Sequence, residues 1–413
     1  MVERVAEGYK KTEVGVIPTD WEVVGIHNIA DVKTGPFGSA LHAADYVIAG
    51  TPIITVEHLL ESSISHEKLP LVSEVDKGRL KSYLLKADDI VFSRVGSVDR
   101  NAIVTEKEDK WLFSGRLLRL RPDQKVIVSM FLSQYFHYEP IKQRIRSIAV
   151  GQTMASLNTK LMNNFKVAIP SYPEQTTIAV ALSDVDNLIS SIEKLILKKQ
   201  KIKQGAVQEL LTGKKRLGGF EQKNYAYKKT EVGVIPEDWE VEFVKNISKI
   251  TTGNKNTEEK ITNGMYPFFV RSQQVEKINS YSYDGEAVLT AGDGVGVGKV
   301  FHYINGKFDF HQRVYKISDF INIEGRYLFE YFKENFLAEV QKYTAKSSVD
   351  SIRMEMIAGM YLPVPPLLEQ TVIVEVLSNM DEEIDILTIK LKKYKAIKQG
   401  MMQELLTGKR RLV

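Results

Sequence analysis

Apolar residues recur at every seventh position along two long segments of the chain, with a second apolar residue four positions after each. In the first segment these positions are Ile178, Val185 and Ile192, followed by Leu182, Ile189 and Ile196. In the second they are Ile373, Met380 and Leu387, followed by Leu377, Ile384 and Leu391. A sustained seven-residue repeat keeps one narrow apolar stripe facing a partner helix, so both segments are predicted to be coiled-coil helices.

The predicted helices carry recognisable start and stop signals. Prolines precede each segment, and the Glu-Gln pairs at 174–175 and 369–370 place an acidic residue in the first turn, where it suits the positive end of the helix dipole. Gly213 and Gly408 supply the stops. The first helix, 174–212, has 39 residues, which corresponds to a length of roughly 60 Å.

Helices of equal length with matching stripes are best satisfied by packing on each other. Because a whole block of sequence separates them, we predict an antiparallel pair. Lys199, Lys203 and Lys398 replace aliphatic residues late in the stripes, so they either extend their ammonium groups to solvent or mark where the pair splays. The alternative is two independent amphipathic helices, each covering its own domain.

The sequence before each helix consists of short apolar runs separated by turns that contain glycine, aspartate and asparagine. Alternating β-branched and aromatic residues predict strands at 46–56, 88–94, 101–106 and 116–121, and then at 267–272, 286–292, 299–304 and 310–317. Helical patterns follow at 129–146 and 325–343. The expected fold class is α/β (α+β): two mixed α/β domains separated by two long antiparallel helices, in a pseudo-two-fold internal repeat.

Two nearly identical repeats frame these blocks. They are YKKTEVGVIPTDWEV at 9–23 with YKKTEVGVIPEDWEV at 227–241, and IKQGAVQELLTGKKRL at 202–217 with IKQGMMQELLTGKRRL at 397–412. The blocks between them, about 24–169 and 242–362, share almost no sequence. Drift after a tandem duplication would have eroded the frame as well, so we favour two purposely different domains on one frame. A drifted duplication is the alternative.

The composition limits the class of protein. A chain of 413 residues with 43% hydrophobic and 26% charged residues is typical of a globular protein of several domains. The absence of cysteine excludes a disulfide scaffold, a cysteine nucleophile and thiolate-bound metal sites. The net charge of +4 permits a nucleic-acid partner without requiring one. With a polar start and no membrane-length apolar run, we expect a cytoplasmic protein.

The chain lacks the signatures of the common catalytic sites. The segment 292–299 resembles a phosphate-binding loop, but Asp293 replaces its first glycine and Val300 stands where a hydroxyl would hold magnesium, which favours an open hairpin turn. His66 lacks the second histidine of a zinc site, because Pro70 occupies that position. The motifs that amino-methylation of a base would need are also missing. No catalytic residue, metal site or cofactor is therefore predicted.

The frame segments resemble those of a known family. GVIPxDWEV at both repeat starts, Glu-Gln-Thr after the prolines at each helix entry, and Gln-Glu-Leu-Leu-Thr-Gly-Lys at each helix end are similar to the specificity subunits of type I restriction–modification systems. DDIVFSRVGSVDRNAIV and EAVLTAGDGVGVGKVFHYINGKFDFHQRVYKI resemble segments of the recognition domains of that family. The resemblance extends over essentially the whole chain.

This resemblance implies a non-catalytic, sequence-specific DNA-binding subunit. Two target-recognition domains, 1–169 and 218–362, would each read one half of an asymmetric bipartite site in double-stranded DNA. The helical regions 170–217 and 363–413 would fix the spacer and dock two modification (methyltransferase) subunits. Restriction subunits, which are ATP-dependent translocases and nucleases, would complete the assembly, with no membrane partner. The chain itself would need no cofactor.

Polar residues on the predicted turns are the candidates for DNA contact. Arginine and lysine suit guanine edges or phosphates, and asparagine and glutamine suit adenine edges. The candidates are Arg94, Arg100, Asn101, Gln152 and Lys160 in the first domain, and Gln273, Gln274, Lys299, His311, Gln312, Arg313 and Lys346 in the second. The alternative for each arginine is a solvated surface charge.

Two other functions remain open from the sequence. One is a two-headed protein-interaction scaffold that uses the helices as a spacer and does not bind DNA. The other is a self-sufficient DNA methyltransferase or nuclease with its own recognition modules, which the missing catalytic motifs disfavour.

Overall fold

The computed structural model describes residues 6–37, 40–150, 155–220, 226–343 and 351–412. The chain divides into two units, Met1–Glu193 together with Ile389–Val413, and Lys194–Thr388. The first unit is thus discontinuous in sequence, because the residues after 388 join those before 194.

The first unit is a mixed α/β structure. Its strands are β1 (Tyr9–Thr12), β2 (Gly15–Pro18), β3 (Glu22–Gly25), β4 (Ala30–Thr34), β5 (Tyr46–Val47), β6 (Thr51–Ile54), β7 (Leu71–Val72), β8 (Ile90–Ser93), β9 (Asn101–Ile103), β10 (Leu112–Phe113), β11 (Leu117–Pro122) and β12 (Lys166–Ile169). Its short helices are α1 (Glu74–Arg79), α2 (Ser129–His137), α3 (Glu139–Ile148) and α4 (Thr159–Asn164). The long helix α5 (Tyr172–Leu210) begins in this unit.

Separate small sheets build the first unit. β1 pairs with β2, β3 with β12, and two larger sheets have the orders β10-β6-β7-β5 and β4-β11-β8-β9. The central strand β11 alternates between faces: Leu118 and Leu120 are buried in the core, while Arg119 donates to Asp31 and Arg121 bonds Asp89 at 2.7 Å. The alternation explains how a strand with two arginines lies inside a sheet.

The second unit has the same sequence of parts with one larger sheet. Its strands are β13 (Tyr227–Thr230), β14 (Gly233–Pro236), β15 (Glu240–Phe243), β16 (Lys249–Thr252), β17 (Tyr266–Phe269), β18 (Glu276–Ile278), β19 (Tyr283–Ala291), β20 (Phe301–Phe310), β21 (Val314–Ser318) and β22 (Tyr361–Val364). Its helices are α6 (Val244–Ile247), α7 (Gly325–Gln341), α8 (Met354–Ala358) and the first part of α9 (Leu367–Leu405).

The large sheet of the second unit has the strand order β16-β21-β19-β20-β17-β18. Its centre is the hairpin β19–β20, which is antiparallel from the pair Tyr283–Phe308 to the pair Thr290–Phe301. The outer pairs β13–β14 and β15–β22 correspond to β1–β2 and β3–β12 of the first unit. The predicted mixed α/β class, built twice on one frame, is confirmed.

Both predicted long helices are present, and each begins two residues earlier than expected. α5 and α9 each have 39 residues, and α5 starts at Tyr172, so Pro173 lies inside its first turn. Proline is tolerated there because the first N–H groups of a helix have no partner within the helix. The predicted stripe is buried or half-buried along both helices, as the pairing requires.

The helices pair antiparallel within each unit. In the first unit, Lys398 bonds Asp186 at 2.7 Å and Lys395 bonds Glu193 at 2.7 Å. In the second unit, Lys203 bonds Asp381 at 2.6 Å and Lys199 bonds Glu383 at 2.6 Å. The lysines that interrupt the apolar stripes are therefore ion-paired across the seam, which explains why they occur at those positions.

In each unit, an arginine that follows the end of one long helix bonds a glutamate in the first turn of the other long helix. In the first unit, Arg411 donates to Glu174 at 2.6 Å and 2.8 Å and also bonds Asp20. Glu174 is fully buried and also accepts the indole N–H of Trp21 at 3.3 Å. Because Asp20 and Trp21 belong to the first repeat and Arg411 to the second, the two kinds of repeat are physically joined.

The second unit contains the same cluster with residues from the other copies. Arg216 bonds Glu369 at 2.8 Å and 2.5 Å and Asp238 at 2.9 Å, and Trp239 donates to Glu369 at 3.0 Å. We call these two groups the frame clusters. Helix entry by a Glu-Gln pair is thus explained by buried ion pairing as well as by the helix dipole.

The predicted helix stops at Gly213 and Gly408 are confirmed. Both glycines have left-handed backbones, with φ of +66° and +70°. A Cβ at Gly213 would lie 2.4 Å from Pro236, and one at Gly408 would lie 2.4 Å from Pro18. Glycine is required at these stops because the backbone is left-handed there and because a proline of the repeated segment leaves no room for a Cβ.

The glutamine after each helix-starting glutamate attaches the variable block to the frame. Gln175 accepts the backbone N–H of Val128 at 2.9 Å and donates to the carbonyl of Pro170. Gln370 makes the matching bonds with Glu324 at 2.9 Å and Pro365 at 2.8 Å. Each buried amide therefore fixes the loop before the block's main helix, although the blocks differ in sequence.

A buried histidine couples the stability of the first unit to pH. Both ring nitrogens of His137 are buried without a hydrogen-bond partner among the described residues. Burial, together with the nearby ammonium groups of Lys142 and Lys398, lowers the pKa of His137 from 6.5 to about 3. The folded state keeps this imidazole neutral while the unfolded chain binds a proton below pH 6.5, so the stability falls as the pH falls.

Replacing His137 with glutamine is expected to remove this contribution. Between pH 7 and pH 5.5 the wild-type protein should lose about 1 kcal/mol more unfolding free energy than His137→Gln. The measurement is urea-induced unfolding at both pH values, with His42→Gln, an exposed histidine, as the matched control. An equal loss in wild type and His137→Gln would contradict the assignment.

Candidate nucleic-acid interface

Most of the candidate residues in the second unit come together at one edge of its large sheet. β17 runs parallel to β20, with Phe269 opposite Phe310, and β19 runs antiparallel to β21, with Ala291 opposite Val314. The loops that follow β17, β19 and β20 are in direct contact, because the backbone N–H of Gly292 donates to the carbonyl of Arg313 at 2.7 Å and that of His311 to the carbonyl of Phe269 at 2.9 Å. We call these loops, 270–275, 292–300 and 311–313, the second-unit edge.

The segment 310–317 is not the single strand predicted from its sequence. β20 extends to Phe310, and β21 begins only at Val314. His311, Gln312 and Arg313 form the turn between them, because three consecutive polar residues there are compatible with a turn and the apolar alternation resumes after it. This difference places all three side chains on the second-unit edge.

Asp293 organises the charges of this edge. Its carboxylate accepts from Arg271 at 2.9 Å and lies 3.7 Å from the Nε of Arg313. Both arginines are exposed, so each can still present N–H donors to a ligand. The arrangement orients two guanidinium groups toward solvent, which suits phosphate or guanine recognition.

His311 supports the same turn from inside. It is buried, its Nδ1 accepts the backbone N–H of Arg313 at 2.9 Å, and its backbone N–H donates to the carbonyl of Phe269 at 2.9 Å. Burial, reinforced by the charge of Arg271, lowers the pKa of His311. A neutral imidazole that accepts a backbone hydrogen bond fixes the turn on which Arg313 lies.

The remaining candidates of the second unit are exposed amides and an exposed lysine. The side-chain amide of Gln312 donates to Asn256 at 2.6 Å, while Gln273 and Gln274 lie on the loop after β17 and Lys299 lies on the loop after β19. Lys346 lies outside the described residues.

The glycine-rich segment forms a turn and not a phosphate-binding loop. A short 3-10 turn, Gly294–Gly296, connects β19 to β20, and Gly294 has φ of +76°. A strand follows this turn instead of the helix that a phosphate-binding loop requires, which confirms the hairpin interpretation.

The first unit builds a corresponding edge from loops 94–100, 114–116 and 155–157, the first-unit edge. Val95 bridges Ser156 just as Asp293 bridges Ser351 in the other unit. Gly96 has φ of +77°, matching Gly294. The two units therefore present the same loop framework with different side chains.

The candidates of the first unit are less exposed than those of the second. Arg94 is half-buried, and its guanidinium donates to the carbonyls of Leu157 at 3.1 Å and Gly115 at 3.3 Å. Arg100 is also half-buried and donates to the carbonyl of Leu59 at 3.0 Å. Arg94 therefore links the three loops of the first-unit edge, whereas Arg100 joins that edge to Leu59, and each guanidinium has further N–H donors.

Asn101 and Lys160 lie in contrasting surroundings. Asn101 is fully buried in β9, and its side-chain oxygen accepts from Ser133 of α2 at 2.7 Å. Lys160 is exposed in α4, the helix that Asn158 caps. Gln152 lies outside the described residues.

Several residues of the edges were missed in the sequence. Arg271 and Asp293 were not among the candidates for DNA contact, and their ion pair joins the loop after β17 to the loop after β19. Phe37 is exposed beside Gly115, where a Cβ would lie 2.6 Å from the Phe37 Cβ. Local sequence gave no signal for these contacts, because they depend on which strands are neighbours in the sheet.

The described residues contain no group of three or more histidines, aspartates or glutamates that could hold a metal ion. In that same part of the chain, no helix has the length and apolar character needed to cross a membrane.

Comparison with known proteins gives the same result from several directions. The family model described as "Type I restriction modification DNA specificity domain" matches residues 18–204 and 236–398. The putative type I restriction enzyme MjaX specificity subunit of Methanocaldococcus jannaschii is 29% identical over 98% of this chain and 97% of its own length. The MjaVIII specificity subunit of the same organism is 28% identical over 98% of this chain and 96% of its own length.

A solved structure shares the fold. The crystal structure of the S subunit of the type I restriction–modification system from M. genitalium matches with a TM-score of 0.64 at 12% identity, covering 93% of this chain and 96% of that one. At this identity the match concerns the fold alone.

Proposed function

Because the chain belongs to the type I restriction–modification DNA specificity family, we propose that it is a non-catalytic subunit whose two recognition domains each read one half of an asymmetric bipartite DNA site. One observation carries this proposal. The same edge framework is built twice, with bridges at Val95 and Asp293, but with different side chains on it. Equal frameworks with unequal chemistry suit two half-sites of different sequence.

The exposed residues of both edges are the proposed DNA contacts. Arg313, Lys299, Gln273, Gln274 and Gln312 would contact bases or phosphates in the second half-site, and Lys160 and the free donors of Arg94 and Arg100 would do so in the first. Gln152 and Lys346 stay in the proposal by their chemistry alone. Asn101 and His311 are buried, so we assign them the task of positioning their neighbours.

The proposed function divides the chain into recognition domains and helical regions. We propose recognition domains at 1–169 and 218–362 and helical regions at 170–217 and 363–413. The helical regions would set the unread spacer: a helix of 39 residues has a length of roughly 60 Å, more than the ~35 Å that separates half-sites one DNA turn apart.

The outer side of the first long helix supports a protein partner. Val180, Leu188, Leu195 and Ile202 of α5 are exposed, although they are apolar and recur at intervals of seven or eight residues. A regular exposed apolar stripe on a helix suits a helical partner surface. We assign it to two methyltransferase subunits, with restriction subunits completing the assembly in the cytoplasm; these partners would supply the cofactors and the chemistry.

The test is selection of DNA by the full chain together with its modification subunits. From a random duplex library we expect enrichment of one sequence with two specified halves and an unspecified spacer of constant length. The modification subunits without this chain are the matched control and should enrich nothing. If nothing is enriched when the full chain is present as well, the proposal is contradicted and a protein scaffold is favoured.

A further inference from the structure

Val295 protrudes from the second-unit edge. It is 96% exposed at the apex of the turn between β19 and β20, while Val297 and Val300 on the same turn are buried. A Cβ at Gly296 would lie 2.4 Å from the carbonyl oxygen of Arg271, so the turn packs tightly on the neighbouring loop. The two buried valines and this close approach hold the apex in place, and it presents a single apolar side chain.

Three cationic residues lie on the same edge as this apolar side chain. Arg271, Lys299 and Arg313 are exposed on the same edge, and Asp293 adjoins the turn and orients the two arginines. An exposed apolar group on an edge that also carries cations suits DNA, where phosphates lie on both sides of the base edges. Val295 would then be directed at a base edge while the cations contact phosphates or guanine edges.

Resting on the proposed DNA-reading function, we propose that Val295 reads the 5-methyl group of one thymine in the major groove of the second half-site. Thymine is the base that presents a methyl group there, and apolar side chains recognise it by contact. Side chains that wedge between base pairs are mostly longer ones such as phenylalanine, leucine or methionine. Valine is compact and stiff about χ1, which suits contact at a fixed point.

The first unit provides an internal contrast. Gly96 and Gly294 occupy equivalent places with matching φ angles, and the residues that follow them are Ser97 and Val295. Serine carries a single hydroxyl where valine carries two methyl groups, so the corresponding point of the first half-site lacks a methyl contact of this kind. The methyl contact is therefore expected at this point of the second half-site and not at the equivalent point of the first.

The test uses the full chain with its modification subunits and the duplex enriched from a random library. Each thymine of the second half-site is replaced in turn by uracil, which removes only the methyl group. At one position, wild type should bind the uracil duplex about fourfold more weakly. Val295→Ala should bind the thymine duplex about fourfold more weakly than wild type and lose nothing further with uracil. Val234→Ala, an exposed valine of β14, should behave as wild type.

The outcomes separate this inference from the function on which it rests. If no duplex is enriched, the proposed function fails. If a site is enriched but no uracil replacement weakens wild type selectively over Val295→Ala, or the second half-site has no thymine, the methyl contact is overturned while DNA recognition stands. A third outcome is that Val295→Ala binds both the thymine and the uracil duplex more weakly than wild type by the same factor and still binds the uracil duplex more weakly than the thymine duplex. Val295 then makes another contact, and the inference is likewise overturned.

Discussion

Arg216→Ala is expected to destabilise the second unit by about 3–5 kcal/mol, the cost of leaving a buried charge without its partner. The arginine side chain is 3% exposed, and it makes paired hydrogen bonds with Glu369 and Asp238. Its removal leaves the buried Glu369 carboxylate with the indole N–H of Trp239. Urea-induced unfolding followed by tryptophan fluorescence measures the effect.

Matched variants make this prediction specific. Lys215→Ala removes an exposed neighbouring cation and should change the unfolding free energy by less than about 0.5 kcal/mol. Adding Glu369→Gln to Arg216→Ala should recover part of the loss, because the buried charge is gone. Arg411→Ala should cost less than Arg216→Ala, since the Arg411 side chain is 31% exposed. Equal stabilities of Arg216→Ala and Lys215→Ala would refute a structural role for the second frame cluster.

Arg313→Ala is expected to weaken recognition of the second half-site by about 10- to 100-fold and leave the first half-site unchanged. The side chain is exposed on the second-unit edge, and its backbone N–H, which bonds His311, is retained in the variant. The measurement is binding of the full chain with its modification subunits to duplexes altered in one half-site at a time.

The control for this variant is Lys249→Ala. Lys249 is exposed at the start of β16, opposite Ser318 and therefore at the end of the sheet remote from the second-unit edge. Lys249→Ala removes one positive charge, as Arg313→Ala does, and should leave the binding of both half-sites as in wild type. If Arg313→Ala weakens both half-sites equally, or neither, Arg313 is not a reader of the second half-site.

The features predictable from sequence are those with a local cause. A seven-residue repeat forces a paired helix, so α5 and α9 were predicted to within two residues at their starts. The turns at Gly213 and Gly408 were recognisable because glycine favours a left-handed backbone. The duplicated frame was recognisable as repeated amino-acid sequence, and it predicted two similar units.

The features that were not predictable depend on contacts distant in sequence. Glu174 was interpreted as a helix-dipole residue, but its main partner, Arg411, lies 237 positions away. Lys203 and Lys398 left a choice between solvent exposure and splaying until their acidic partners on the opposite helix were known. The exposure of Val295 depends on how the turn packs on a neighbouring loop. The spacing of apolar residues along the sequence does not reveal that packing.

The crossed frame clusters also determine the order of assembly during synthesis. At about 5–20 residues per second, the ribosome adds Arg411 roughly 10 to 50 s after Glu174, because 237 positions separate them. Arg216 is made 153 positions before its partner Glu369, so the second frame cluster can close while translation continues. Until Arg411 is made, the nascent first unit holds the Glu174 carboxylate without its arginine partner, so a chain that stops before Arg411 lacks the first frame cluster but contains every residue of the second.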